Sequence, residues 1–104
     1  MNPIPLTREN LAEIAPRLAE LSEDILFGDI WQRDGLSSRD RSLITVSALI
    51  ALNRPEQLSW HLKLARKNGL SEAELTEMMT HLAFYCGWPA AVSALTVFKN
   101  TLSE

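Results

Sequence analysis

The sequence predicts an all-α fold, a helical bundle of about five to six helices forming one domain over residues 1–104. Three observations predict it. Apolar residues recur at intervals of three and four along most of the chain. Asparagine or serine followed three positions later by glutamate marks helix starts at Asn53/Glu56 and Ser71/Glu74. Short apolar runs always continue with helical spacing, and no Gly-rich phosphate loop or internal repeat is present. A chain of 104 residues can bury one hydrophobic core of modest size.

Residues 1–7 hold two prolines and no periodic pattern, and are expected to form an extended, mobile arm. Thr7 is a suitable N-cap. Leu11, Ile14, Leu18, Leu21, Ile25 and Leu26 then make one apolar stripe on a helix reaching about Phe27. Pro16 removes a backbone donor inside that pattern, so a kink or two shorter helices are expected. Residues 28–38 are dense in Gly, Asp and Ser and read as a loop. Its aromatic Trp31, with Phe27 before it, is either a core or interface anchor or the wall of a ligand pocket.

Ser37 or Ser38 caps a helix running to about Leu52, uncharged from Leu43 onward, and such a helix belongs at the centre of a fold. Arg39 and Arg41 sit in its first turn, against the dipole preference for acids. Either they are solvated or salt-bridged, or one of them holds a substrate carboxylate. A capping box at Asn53/Glu56, with Pro55 in the first turn, starts a helix that stops at Gly69. Leu58, His61, Leu62 and Ala65 share its apolar stripe, which leaves His61 as a hydrogen-bonded core residue or as a proton donor.

The next helix opens with the Ser71/Glu74 box, stapled by Leu70 and Leu75. It should bury Leu75, Met78, Met79, Leu82 and Cys86, with Glu77 and His81 one turn apart on another face. The methionines read as core filling. Gly87 terminates this helix, and Pro89 begins a last one rich in small residues.

Composition narrows function. A net charge of -3 gives no general attraction to nucleic acid or anionic lipid, so a small molecule or another protein is the expected partner. The single cysteine, Cys86, allows neither an intrachain disulfide nor a Cys-x-x-Cys pair, and the two histidines show no metal-ligand spacing. No segment is apolar for long enough to span a bilayer, the N-terminus carries no secretory pattern, and a cytoplasmic location is expected.

Three separated motifs add a resemblance: W-x-R-x-G-L-S-x-R-D-R-S-L at 31–43, an E-x-L-x-x-H run at 56–61, and H-L-A-F-Y-x-G-W-P-A-A at 81–91. Together, residues 27–91 resemble the carboxymuconolactone decarboxylase family within the alkylhydroperoxidase D-like superfamily. The resemblance implies a central antiparallel helical hairpin, assembly into homotrimers or homohexamers with pockets near their interfaces, and one of two chemistries. Thiol-dependent peroxidases of the superfamily use Cys-x-x-Cys-x-x-x-His. Registering that histidine on His61 puts Arg54 and Gln57 where the thiols belong, so a peroxidase-like protein here would depend on Cys86 alone.

The other chemistry is cofactor-free decarboxylation of a lactone such as 4-carboxymuconolactone, in aromatic catabolism. It requires a carboxylate anchor, an electron sink and a proton donor. The resemblance makes His61 and His81 the catalytic candidates. Charge and position add Arg39 or Arg41 as the carboxylate anchor, with Trp31, Tyr85 and Glu56 completing a substrate-binding set. A non-catalytic oligomer that binds a small ligand is the third reading.

Overall fold

The computed structural model describes residues 6–104. Among these the secondary structure is entirely helical. The chain divides into two compact units, one ending at Gly35 and one spanning Leu36–Glu104. The expected N-terminal arm lies mostly outside the described residues.

The first unit is a succession of short turns. The Thr7 hydroxyl accepts from the Asn10 N–H at 3.3 Å, but the first element is only a 3-10 turn, Leu11–Glu13, and Asn10, not Thr7, stands at its N-cap. Proline begins a helix here instead of bending one. Ala15, at φ -133° and ψ 73°, lies outside the helical region that a following proline disfavours, and α1, Pro16–Leu21, starts with the ring in its first turn. A π-helical turn, Ser22–Phe27, continues α1, and a second 3-10 turn, Ile30–Gln32, interrupts the expected loop. Arg8 ties the segment together: it pairs with Glu23 at 2.8 Å and lies 4.0 Å over the Phe27 ring, which stacks on Trp31. No described residue of this unit is buried, and Ile14 and Leu18 of the apolar stripe are exposed.

The second unit holds four helices: α2, Ser38–Ala51; α3, Pro55–Lys67; α4, Glu72–Leu82; and α5, Trp88–Leu102. α2 and α3, joined by three residues, pack most extensively and form the expected hairpin. α5 lies on both, and α4 packs on α5 and α2. Val46, Ile50, Leu58, Leu62, Leu70, Leu75, Met79 and Phe98 interlock between them. Each large side chain withdrawn from water contributes about 1.5–3 kcal/mol before entropy is set against it. One polar pair is built into this core, where the buried Ser42 hydroxyl accepts from the Asn68 side-chain amide at 3.0 Å.

Three expectations need correction. Asn53 does not cap α3. It adopts φ 56° beyond the end of α2, its N–H donating to Ile50 O and the Arg54 N–H to Leu49 O, a Schellman ending in which asparagine takes the left-handed position. Gly69 closes α3 in the same way, at φ 107°. The uncharged α2 is buried on one face only, through Ser42, Val46 and Ile50, while Ile44 is 55% exposed. α4 stops at Leu82, because residues 83–86 tighten into turns before Gly87 opens α5.

Candidate active site

Two serine caps position the charged part of the site. The Ser37 hydroxyl accepts from the Asp40 N–H at 3.1 Å and starts α2, which places Arg39 and Arg41 in its first turn. The Ser71 hydroxyl accepts from the Glu74 N–H, and Glu74 Oε1 accepts from the Ser71 N–H, both at 3.0 Å, completing the capping box of α4. The other Glu74 oxygen accepts from Arg39, whose guanidinium also reaches Asp40 at 3.4 Å. The Ser71 backbone N–H holds the Glu74 carboxyl below its usual range, and Arg39 adds to the effect. For Arg39, the compensating carboxylate across the fold is therefore Glu74. Arg41 is half-buried, with its Nε inside the fold.

His61 projects from α3 between the buried Leu58 and Leu62 and is itself half-buried, with Nδ1 withdrawn from solvent. The Trp60 ring meets it edge to face, centroids 4.8 Å apart at 81°. Burial pushes the imidazole below its ordinary 6.5, which favours the neutral ring.

His81 has a different setting. It is exposed in the last turn of α4 and stacks on Tyr85 at 4.9 Å and 25°, with Tyr85 78% exposed. Glu56 is exposed in the first turn of α3, where its charge suits the helix dipole. Cys86 is half-buried in the turn after α4. Trp31 belongs to the first unit, against Phe27.

The fold joins Arg39 to Glu74 and His81 to Tyr85. His61 and His81 stand on α3 and α4, which each pack on α2 and α5 and scarcely on each other. Two of the concavities lie in the second unit. One, beside Leu49, Arg54, Leu58 and Ala94, has room for about 10 Å³, a single water. The other, an apolar groove of about 90 Å³ between α4 and α5, is walled by Met79, Phe84, Trp88, Ala91 and Leu95. None of the sequence-derived candidates lines either one. Trp60 and Glu74 are the contacts that sequence reasoning did not assign. Trp60 was visible as a neighbour of His61, but adjacent helical residues point about 100° apart, so no contact followed from it.

The sequence model of the carboxymuconolactone decarboxylase family matches residues 16–100. The chain belongs to this family. It is 34% identical over 96 residues to 4-carboxymuconolactone decarboxylase of Acinetobacter baylyi, an alignment covering 92% of this chain and 72% of that protein. It is 35% identical over 85 residues to nitrosuccinic acid decarboxylase of Metarhizium robertsii, covering 82% of this chain and 59% of the relative. Both named relatives of this family member are decarboxylases, and the matched region contains His61, His81 and both first-turn arginines. Among the described residues no helix is long and apolar enough to cross a membrane.

Proposed function

We propose that this chain is a carboxy-lyase that acts, without a cofactor, on a small carboxylated lactone such as 4-carboxymuconolactone. The alignment with a named 4-carboxymuconolactone decarboxylase over 92% of the chain carries the proposal. The half-buried, uncharged imidazole of His61 supports it.

The substrate supplies the electron sink. Cleavage of the bond to the leaving carboxylate releases CO₂ and sends the bonding pair into the unsaturated lactone carbonyl, giving a dienolate. A proton then returns to carbon. Burial keeps His61 uncharged before substrate arrives, and an anionic substrate beside it favours the imidazolium. Binding thus loads His61 with a solvent proton, and the dienolate takes that proton up. The balance is one carboxylate and one proton consumed, one CO₂ and one C–H bond formed.

Arg39 or Arg41, both in the first turn of α2, anchors the substrate carboxylate. His81 and Tyr85, stacked together, serve as a second acid and a pocket wall, with Glu56 as a further substrate contact. The reading includes one functional domain, a cytoplasmic location and self-association as a trimer or hexamer. The exposure of Phe84, Tyr85, Trp88 and Val92 supports the self-association.

Incubation of purified protein with 4-carboxymuconolactone tests the proposal. CO₂ release and loss of the substrate chromophore are expected, and His61→Ala should abolish both while keeping the helical circular dichroism. Full activity in folded His61→Ala would refute the assigned role, and no turnover of any carboxylated lactone would refute the function.

A further inference from the structure

Helix geometry fixes the first torsion of His61 but leaves its ring plane open. Rotation about the bond from Cβ to an imidazole is broad and nearly two-fold, and a half-turn exchanges Nδ1 with Cδ2 and Nε2 with Cε1. A histidine that moves a proton therefore needs a neighbour that holds the plane, or its nitrogens spend part of the time where its carbons should be. Leu58, one turn below, and the adjacent Leu62 are both buried and apolar, and neither side chain can give the ring a hydrogen bond. Trp60 gives it a directional contact. Adjacent helical residues ordinarily diverge, yet the two rings lie 4.8 Å apart and nearly perpendicular. Trp60 is itself half-buried, which restricts the indole in turn.

We propose that Trp60 is a positioning residue for His61: its edge-to-face contact holds the imidazole plane, and with it the nitrogen that exchanges a proton with the substrate. This rests on the decarboxylase reading for its kinetic consequence, though not for its structural one. The indole acts through His61, so its loss should slow the proton step more than it weakens binding.

Two measurements on Trp60→Leu, Trp60→Met and Trp60→Phe test it. The first is independent of activity: nuclear Overhauser contacts from the His61 ring proton Hδ2 to Leu58 and Ala65, one turn below and above. A half-turn of the ring carries Hδ2 from one side to the other, so the parent protein should show contacts on one side only. Trp60→Leu or Trp60→Met, whichever gives native helical circular dichroism, should show both, and Trp60→Phe should restore much of the one-sided pattern. The second is steady-state turnover of the lactone, where loss of the ring should lower kcat roughly tenfold with KM changed less than about twofold. A one-sided pattern unchanged in the ring-free variants, or equal damage from phenylalanine and leucine, would overturn the proposal. If no lactone is turned over but the ring contacts respond as expected, the decarboxylase reading fails and the positioning of His61 by Trp60 stands.

Discussion

Arg39, in the first turn of α2, donates to the Glu74 carboxylate, thirty-five residues further on in the capping box of α4. One carboxylate thereby performs two tasks: one oxygen closes the α4 N-terminus and the other joins it to α2. Substrate anchoring by Arg39 would compete with this contact, whereas anchoring by Arg41 would leave it intact.

The two tasks of Glu74 separate by mutation. Ser71→Ala removes the hydroxyl that satisfies the Glu74 N–H and should cost about 1 kcal/mol in urea unfolding, with little dependence on salt. Glu74→Gln keeps an acceptor for the Ser71 N–H and loses only the charge, so its deficit should be smaller and should shrink as salt is raised. The pH dependence follows from the lowered carboxyl. Its stabilising contribution is present above the ordinary value of 4.5 and lost as pH falls through the lower folded value. Parent and Glu74→Gln should therefore converge in stability below pH 4.5, and a gap that persists there would show that charge is not the cause.

Local signals were legible in the sequence and distant partners were not. Ser71 with Glu74, Leu70 with Leu75, Gly69 and Pro55 announce helix ends through residues at most five positions apart, and the structure keeps each of them. Asn53 misled because Asn-x-x-Glu fits two roles: asparagine caps an N-terminus well and also tolerates the left-handed position beyond a C-terminus. Periodicity located the apolar stripe of Leu11, Ile14 and Leu18 without showing what covers it, and within the described unit it is not buried. His61 stood out by its place on a helix stripe, but its Trp60 neighbour depends on side-chain torsions that spacing does not encode.

Asn53 offers a direct comparison of those two roles. If its side chain capped α3, Asn53→Gly and Asn53→Ala would both weaken the protein. With the backbone at φ 56° and no side-chain cap on α3, glycine should be neutral or slightly stabilising, whereas alanine should cost about 1 kcal/mol for its left-handed conformation. Thermal or urea unfolding of the pair measures the difference. Equal losses in the two variants would restore the capping reading.

Gly28 ends the π-helical turn for a steric reason. A Cβ there would lie 2.6 Å from the Glu23 carbonyl oxygen and 2.7 Å from that of Asp24. Both are backbone atoms that cannot turn aside, and φ at Gly28 is an ordinary -82°. Gly28→Ala should therefore force the wide turn to rearrange, at a cost of about 1–3 kcal/mol, comparable to overpacking a core. Amide hydrogen exchange should show the change as faster exchange at Ile25–Asp29 with α2–α5 unaffected, and unchanged protection there would mean that the turn accommodates the methyl group.

His61 links burial to acid sensitivity. Its folded imidazole titrates below the ordinary 6.5, so between these two values the unfolded chain binds more protons than the folded one. Stability from this group is complete above pH 6.5 and declines as pH falls through the window. His61→Leu, which fills the apolar stripe without a titrating ring, should remove that component, so the stability difference between variant and parent should shift in favour of the variant from pH 8 to pH 5. Substrate should act in the opposite direction. An anionic lactone favours the imidazolium, and binding at pH 7.5 should draw a proton from solvent, seen by calorimetry as a binding enthalpy that changes with the ionisation enthalpy of the buffer. Buffer-independent enthalpy for the parent protein would place the substrate carboxylates away from His61.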